Sequence, residues 1–165
     1  MRLIIVSNRA PVSIVVEDGN YRYDESSGGL ASGLRAYVDR IRKKKTADAQ
    51  IAWLGWPGTT VPPADEEKIR KEVLKRFEVH SVFLPEDTME RFYQGFCNKT
   101  IWPLFHYFTS LASYETENWR EYVEVNRIFC EALCRIARPN DVIWVHDYHL
   151  MMLPSMIREK IPAAS

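Results

Sequence analysis

Asp141-Val-Ile-Trp-Val-His-Asp-Tyr-His-Leu-Met-Met152 carries a fold signal and a site signal side by side. Val142 to Val145 is an unbroken apolar run of strand formers, too short for a helix and bounded by Asn140-Asp141. Such a run predicts a central strand of a parallel sheet, covered on both faces. It breaks into His146-Asp147-Tyr148-His149, after which Leu150 to Ile157 reads as a helix entered through a short turn. In open α/β sheets ligands bind beyond the carboxyl ends of the strands, so this polar cluster is the first place to look for chemistry.

Upstream, the same alternation repeats. Arg2 to Ser7 predicts a first buried parallel strand, and Asn8-Arg9-Ala10-Pro11 ends it with an arginine at its carboxyl end. Val12 to Val16 and Tyr21 to Tyr23 flank the turn sequence Glu17-Asp18-Gly19-Asn20 and read as a hairpin. Ser26-Ser27-Gly28-Gly29 then opens a helix with Leu30, Leu34, Tyr37, Val38 and Ile41 on one face. Backbone N–H groups at such a helix start can hold a phosphate, although Gly28 and Gly29 also suit an ordinary turn. The basic run Arg40 to Lys45 complements that helix's carboxyl end and reads as a solvated surface.

Ile51 to Leu54 predicts a second core strand stopped by Gly55-Trp56-Pro57-Gly58, where Trp56 either stacks on a flat or sugar-like ligand or packs in the core. A helix over Asp65 to Phe77 and a strand over Val79 to Leu84 follow. The segment from Glu86 to Tyr107 is dense in aromatics, most of them expected in the core, with Tyr93 and Trp102 able to offer a polar group to a ligand. Glu115 to Ala137 is a long helix whose apolar stripe contains a single amide, Asn126, which needs a hydrogen-bonding partner. The expected architecture is one α/β domain: a Rossmann-like, doubly wound, mostly parallel sheet with helices on both faces and a β-hairpin insertion.

Composition narrows the function classes. The chain has 165 residues, enough for one well-packed domain. With 22 basic and 22 acidic residues its formal charge is zero, which argues against a nucleic-acid surface. No apolar run approaches a membrane span or a signal peptide. Cys97, Cys130 and Cys134 lie at no zinc-ligand spacing and suit packed thiols in a reducing cytoplasm. His146 and His149 have H-x-x-H spacing but no evident third ligand, so no metal is expected. His149 is expected to hydrogen-bond a loop carbonyl.

Val6-Ser-Asn-Arg9, Gly28-Gly29-Leu30, Gly55-Trp56, Phe92-Tyr93, Trp102-Pro-Leu-Phe-His-Tyr107, Tyr122 to Asn126 and Trp144-Val-His-Asp-Tyr-His-Leu150 fall in order along the chain. Together they resemble the N-terminal part of the trehalose-6-phosphate synthases, retaining glycosyltransferases of the two-domain GT-B fold. The resemblance implies that residues 1–165 form an acceptor-side domain, incomplete at its C-terminal end, of an enzyme that transfers glucose from UDP-glucose to glucose 6-phosphate without a metal or other cofactor. It implies that Arg9 and Tyr93 hold the acceptor phosphate and that Trp56, Trp102 and Asp147 shape the sugar pocket. Asp147 is the expected catalytic side chain, and Gly28 and Gly29 approach the donor diphosphate. Capping of the following helix is the structural role open to Asp147. The same resemblance admits a synthase with another acceptor, such as a glucosylglycerol-phosphate synthase, or a non-catalytic regulatory module that binds sugar phosphate. This stretch alone is expected to be inactive, and an uncovered last strand is expected to favour self-association into homo-oligomers.

Overall fold

The computed structural model describes residues 2–17, 19–26, 29, 33, 34, 36–38, 40 and 50–165. Its centre is a four-stranded parallel sheet built from β1 (Arg2–Arg9), β4 (Gln50–Trp56), β5 (Val79–Ser81) and β6 (Val142–Val145), in the spatial order β5-β4-β1-β6. The hairpin β2 (Val12–Glu17) and β3 (Asn20–Glu25) forms a separate antiparallel pair. Positions 29, 33, 34, 36–38 and 40 are helical.

Alternation along the strands divides the core into two layers. Ile4, Val6, Ala52 and Leu54 face one side, where they meet the long helix α3 (Thr116–Ile136), the last helix α4 (Leu153–Lys160) and a π-helix over Glu90–Ile101. Ile5 and Trp53 face the other, packed with Ile69 and Val73 of α1 (Pro63–Phe77), the hairpin residues Val12 and Ile14, and Leu34 and Val38. Pro63 opens α1, Asp65 and Glu66 lie in its first turn, Lys75 and Arg76 in its last, and Glu78 closes it in a left-handed conformation. The hairpin docks on this helix through Tyr21 to Asp65 at 2.6 Å and Tyr23 to Glu72 at 3.0 Å. Desolvation and the Glu72 carboxylate push the Tyr23 phenol up to about 12.

The expectation that Val142–Val145 is central needs correcting. Among the described residues β1 is flanked on both sides, whereas β6 lies at the sheet edge and Trp144 is 38% exposed. The outer side of β6 is only touched by the chain end, where the Ile143 N–H donates to the Ser165 carbonyl at 2.8 Å. The third predicted strand is also shorter, Val79–Ser81 rather than Val79–Leu84; its last bond to β4 is the Val82 N–H donated to the Gly55 carbonyl at 2.9 Å.

The aromatic segment departs further from expectation. Phe92 is fully buried, but Trp102, Phe105 and Tyr107 are exposed, Tyr107 by 92%. In the π-helix, Phe92 and Cys97, like Gly95 and Thr100, are buried five positions apart, matching its wider turn. Pro103 then starts the short helix α2 (Trp102–Phe105), which carries the remaining aromatics past the sheet rim. Among the described residues no helix is long and apolar enough to cross a membrane.

Candidate functional site

The chain leaves β1 toward β4 and β5 on one side and reaches β6 on the other, so β1 and β6 diverge at a topological switch point, the usual crevice for ligands in such sheets. Their carboxyl ends carry Ser7-Asn8-Arg9 and His146-Asp147. The two ends are joined where the His146 N–H donates to the Val6 carbonyl at 2.8 Å.

Arg9 owes its position to glycines on the neighbouring strand. A Cβ on Gly55 would come within 2.9 Å of the Ala10 backbone, so only glycine lets the chain after β1 cross there. Gly58 has φ 89°, and a Cβ on it would collide with the Arg9 guanidinium. With that space open, the guanidinium carbon of Arg9 sits 4.8 Å from the centre of the Trp56 ring. Its Nη2 donates to Ser13 Oγ at 3.2 Å, and Ser13 pairs with Ser26 at 2.9 Å. Only one of the five guanidinium N–H donors is therefore engaged among the described residues. Burial pulls the Arg9 pKa below its ordinary value, against the opposing influence of the nearby Tyr93 phenol, yet arginine stays charged at any neutral pH.

Trp56 is 7% exposed and its Nε1 donates to the Thr59 carbonyl at 3.2 Å, so of its two expected roles the structure shows the packed one, with the ring's remaining cover supplied by Arg9. Beside it lies an open depression of about 640 Å³ lined by Trp56, Gly58 to Pro63 and Glu86.

The turn after β6 is bolted to α3. Tyr122 Oη donates to the Tyr148 carbonyl at 2.7 Å and accepts the Met151 N–H at 3.0 Å. The amide nitrogen of buried Asn126 finds the partners it needs, donating to the carbonyls of Tyr122 at 2.8 Å and His149 at 3.2 Å, whereas its Oδ1 has none among the described residues. Held this way, Asp147 adopts φ 74° and ψ 161°, a region that only glycine occupies freely. Its Oδ1 accepts the Tyr148 N–H at 2.8 Å and so caps the 3-10 helix over Tyr148–Leu150. Its Oδ2 lies 3.1 Å from His149 Nδ1. The His149 imidazole is the main influence holding the Asp147 carboxyl below the usual carboxylate range, helped by the Tyr148 N–H and by His146 and opposed by burial.

Among the described residues the carbonyl bond expected of His149 is not made: neither ring nitrogen has an aligned hydrogen bond, and the ring stacks on Tyr93 at 5.4 Å and 7° and on Tyr148 at 4.3 Å and 22°. These contacts form two groups at the switch point, Trp56 with Arg9 and Tyr93 with His149 and Asp147, and the Tyr93 phenol is near enough to Arg9 to influence its charge. Trp102 has no ring contact with these residues; it is stacked on His106 at 4.0 Å, while Phe105 of the same short helix meets Tyr148 at 6.2 Å. Gly29 is exposed and follows Ser26, the residue tied to Ser13, whereas Gly28 lies outside the described residues. Gly58, Ser13 and His149 were not read as site residues in the sequence; a loop glycine and a strand serine give no signal there until the arginine between them is placed. Among the described residues no three His, Cys, Asp or Glu side chains are grouped to hold a metal ion.

The chain as a whole is similar to known proteins. The chain is 41% identical over 161 residues to an alpha,alpha-trehalose-phosphate synthase [UDP-forming] of Botryotinia fuckeliana, a match covering 97% of this chain and 29% of that protein. It resembles the structure of a UDP-forming alpha,alpha-trehalose-phosphate synthase from Burkholderia xenovorans in complex with glucose 6-phosphate, with TM-score 0.69 and 30% identity over 98% of this chain and 31% of the other. A trehalose-6-phosphate protein from E. coli bound with UDP-2-fluoro glucose matches with TM-score 0.69 and 26% identity, over 98% of this chain and 31% of that one. The chain thus spans about three-tenths of the length of these relatives. The sequence pattern of glycosyltransferase family 20 matches residues 1–165 throughout, and the chain belongs to that family.

Proposed function

We propose that residues 1–165 are the acceptor-side part of a trehalose-6-phosphate synthase, acting in the cytoplasm to transfer glucose from UDP-glucose to glucose 6-phosphate with retention. The observation that carries this reading is the partly desolvated Arg9 guanidinium, which commits one donor among the described residues and feels the charge of Tyr93, itself stacked on the His149 ring that meets Asp147. A planar fork of that kind suits a phosphate monoester. Tyr93 adds a phenol beside it, and the ionised Asp147 accepts hydrogen bonds from sugar hydroxyls. The phosphate end and the sugar end of one acceptor are thereby recognised by separate groups.

The relatives' names support the reaction, and the Burkholderia complex supports the acceptor. In this account Trp56 shapes the site from below as the platform of Arg9, Trp102 covers it from the rim, and Gly28 and Gly29 lie toward the donor diphosphate. Transition-state charge on the leaving diphosphate needs cationic partners, which this reading assigns to chain beyond these residues. The reaction calls for no metal or other cofactor. The test is to incubate the full-length protein carrying this sequence with UDP-glucose and glucose 6-phosphate. Trehalose 6-phosphate with the α configuration retained, formed in the presence of a chelator, is the expected product. Binding of glucose 6-phosphate without turnover would instead point to a regulatory module, and product formed only from another acceptor to a related synthase.

A further inference from the structure

We infer that His149 is a positioning residue: its ring fixes the Asp147 carboxylate relative to Tyr93, tying the sugar end of the acceptor site to the phosphate end. The inference rests on the acceptor reading above.

His149 is 7% exposed, and both ring nitrogens are buried without an aligned partner. A phenylalanine would fill the same slot without burying bare nitrogens, so packing alone does not account for an imidazole. Its main chain cannot shift freely, since Asn126 holds the His149 carbonyl. Its ring cannot swing, since Tyr93 and Tyr148 stack against it, at 5.4 Å and 4.3 Å. The remaining contact is Nδ1 to Asp147 Oδ2, at 3.1 Å. A proton on Nδ1 turns the N–H dipole toward the carboxylate, whereas the other tautomer sets a lone pair against it. With Oδ1 held by the Tyr148 N–H and Oδ2 set against the immobilised His149 ring at 3.1 Å, the carboxylate has a defined orientation, and each oxygen keeps a lone pair for a hydroxyl.

Two substitutions separate the ring from its nitrogen. His149→Phe keeps the stack on Tyr93 and loses Nδ1; His149→Asn places an amide nitrogen near the Nδ1 position and loses the stack. In the full-length protein, the expected result is a crossed pattern: His149→Phe lowers kcat about tenfold or more with KM for glucose 6-phosphate little changed, while His149→Asn keeps most of kcat and raises that KM. A second readout needs no turnover. The Asp147 carboxyl, followed by carbon NMR in the same proteins, should titrate nearer the ordinary carboxylate range in His149→Phe, with His146, Tyr148, Cys97 and Tyr122 still facing it. Equal losses of kcat and KM in both variants, or an unmoved Asp147 titration in folded His149→Phe, would overturn the inference. A wild-type protein that makes no product would sink the acceptor reading instead, while the titration still decides whether His149 holds Asp147.

Discussion

Arg9 lies with its guanidinium carbon 4.8 Å from the centre of the Trp56 ring, a face-on contact that exists only because position 58 has no side chain. The contact couples the end of β1 to the end of β4. Because the ring occupies only one face of the fork, the guanidinium edge can still donate, as Nη2 does to Ser13 Oγ at 3.2 Å.

Gly58 is therefore a site residue without a functional group. Gly58→Ala meets two obstacles, φ 89° and the Arg9 head. It should lower stability by roughly 1–3 kcal/mol and displace Arg9 from Trp56, weakening acceptor binding. Thermal unfolding together with calorimetric titration of glucose 6-phosphate checks both effects. An unchanged melting temperature with unchanged affinity would contradict this account of the loop.

At the opposite end of the sheet, Arg2 and Asp141 form a buried ion pair at 2.5 Å, and Asp141 also accepts the Arg138 N–H at 2.7 Å. Burial by itself would raise the Asp141 pKa; the Arg2 bonds, the Arg138 N–H and the two positive charges outweigh it and leave the carboxyl lowered. A depressed folded-state pKa gives stability that is present above the unfolded carboxylate range and lost as pH falls through the folded value. Arg2→Met should cost about 3–5 kcal/mol near neutrality by stranding the buried carboxylate. That cost should shrink in acid, where Asp141 takes up a proton. Denaturant unfolding at several pH values would show it, and a cost independent of pH would count against the pairing.

Asp147 combines a strained backbone with a cap and a lowered pKa. Asp147→Gly removes strain worth about 1–3 kcal/mol, while glycine at a cap position gives up only a few tenths of a kcal/mol. The variant should be as stable as the parent or more so, yet turn over orders of magnitude more slowly. A destabilised protein with normal turnover would reduce Asp147 to a cap.

Much of this was legible in the sequence because it rests on short-range pattern. Apolar runs at Arg2 to Ser7 and Ile51 to Leu54, Pro11 after the first, Gly55 after the second and acids opening α1 are local signals, and each led to its element. The central place assigned to Val142–Val145 was not recoverable, because an apolar run reports burial and not which neighbours supply it; β6 is half-covered at the sheet edge. The π-helix was equally hidden, since its five-residue burial spacing over Glu90–Ile101 falls on Phe92 and Cys97, and on Gly95 and Thr100, residues of no common type. At the site, the polar chemistry of Arg9 and Asp147 could be named from strand ends. The environment that tunes them depends on contacts between residues far apart in sequence. Tyr93 on His149 and Gly58 under Arg9 are of that kind.

The most direct test of the central claim is paired binding on the full-length protein, wild type against Arg9→Ala. Glucose 6-phosphate and UDP-glucose are titrated separately by calorimetry. Loss of a charge-assisted contact worth about 1.5–3 kcal/mol predicts glucose 6-phosphate affinity reduced about ten- to a hundredfold, with UDP-glucose affinity nearly intact. Equal weakening of both ligands, or no change in either, would contradict the assignment of Arg9 to the acceptor phosphate.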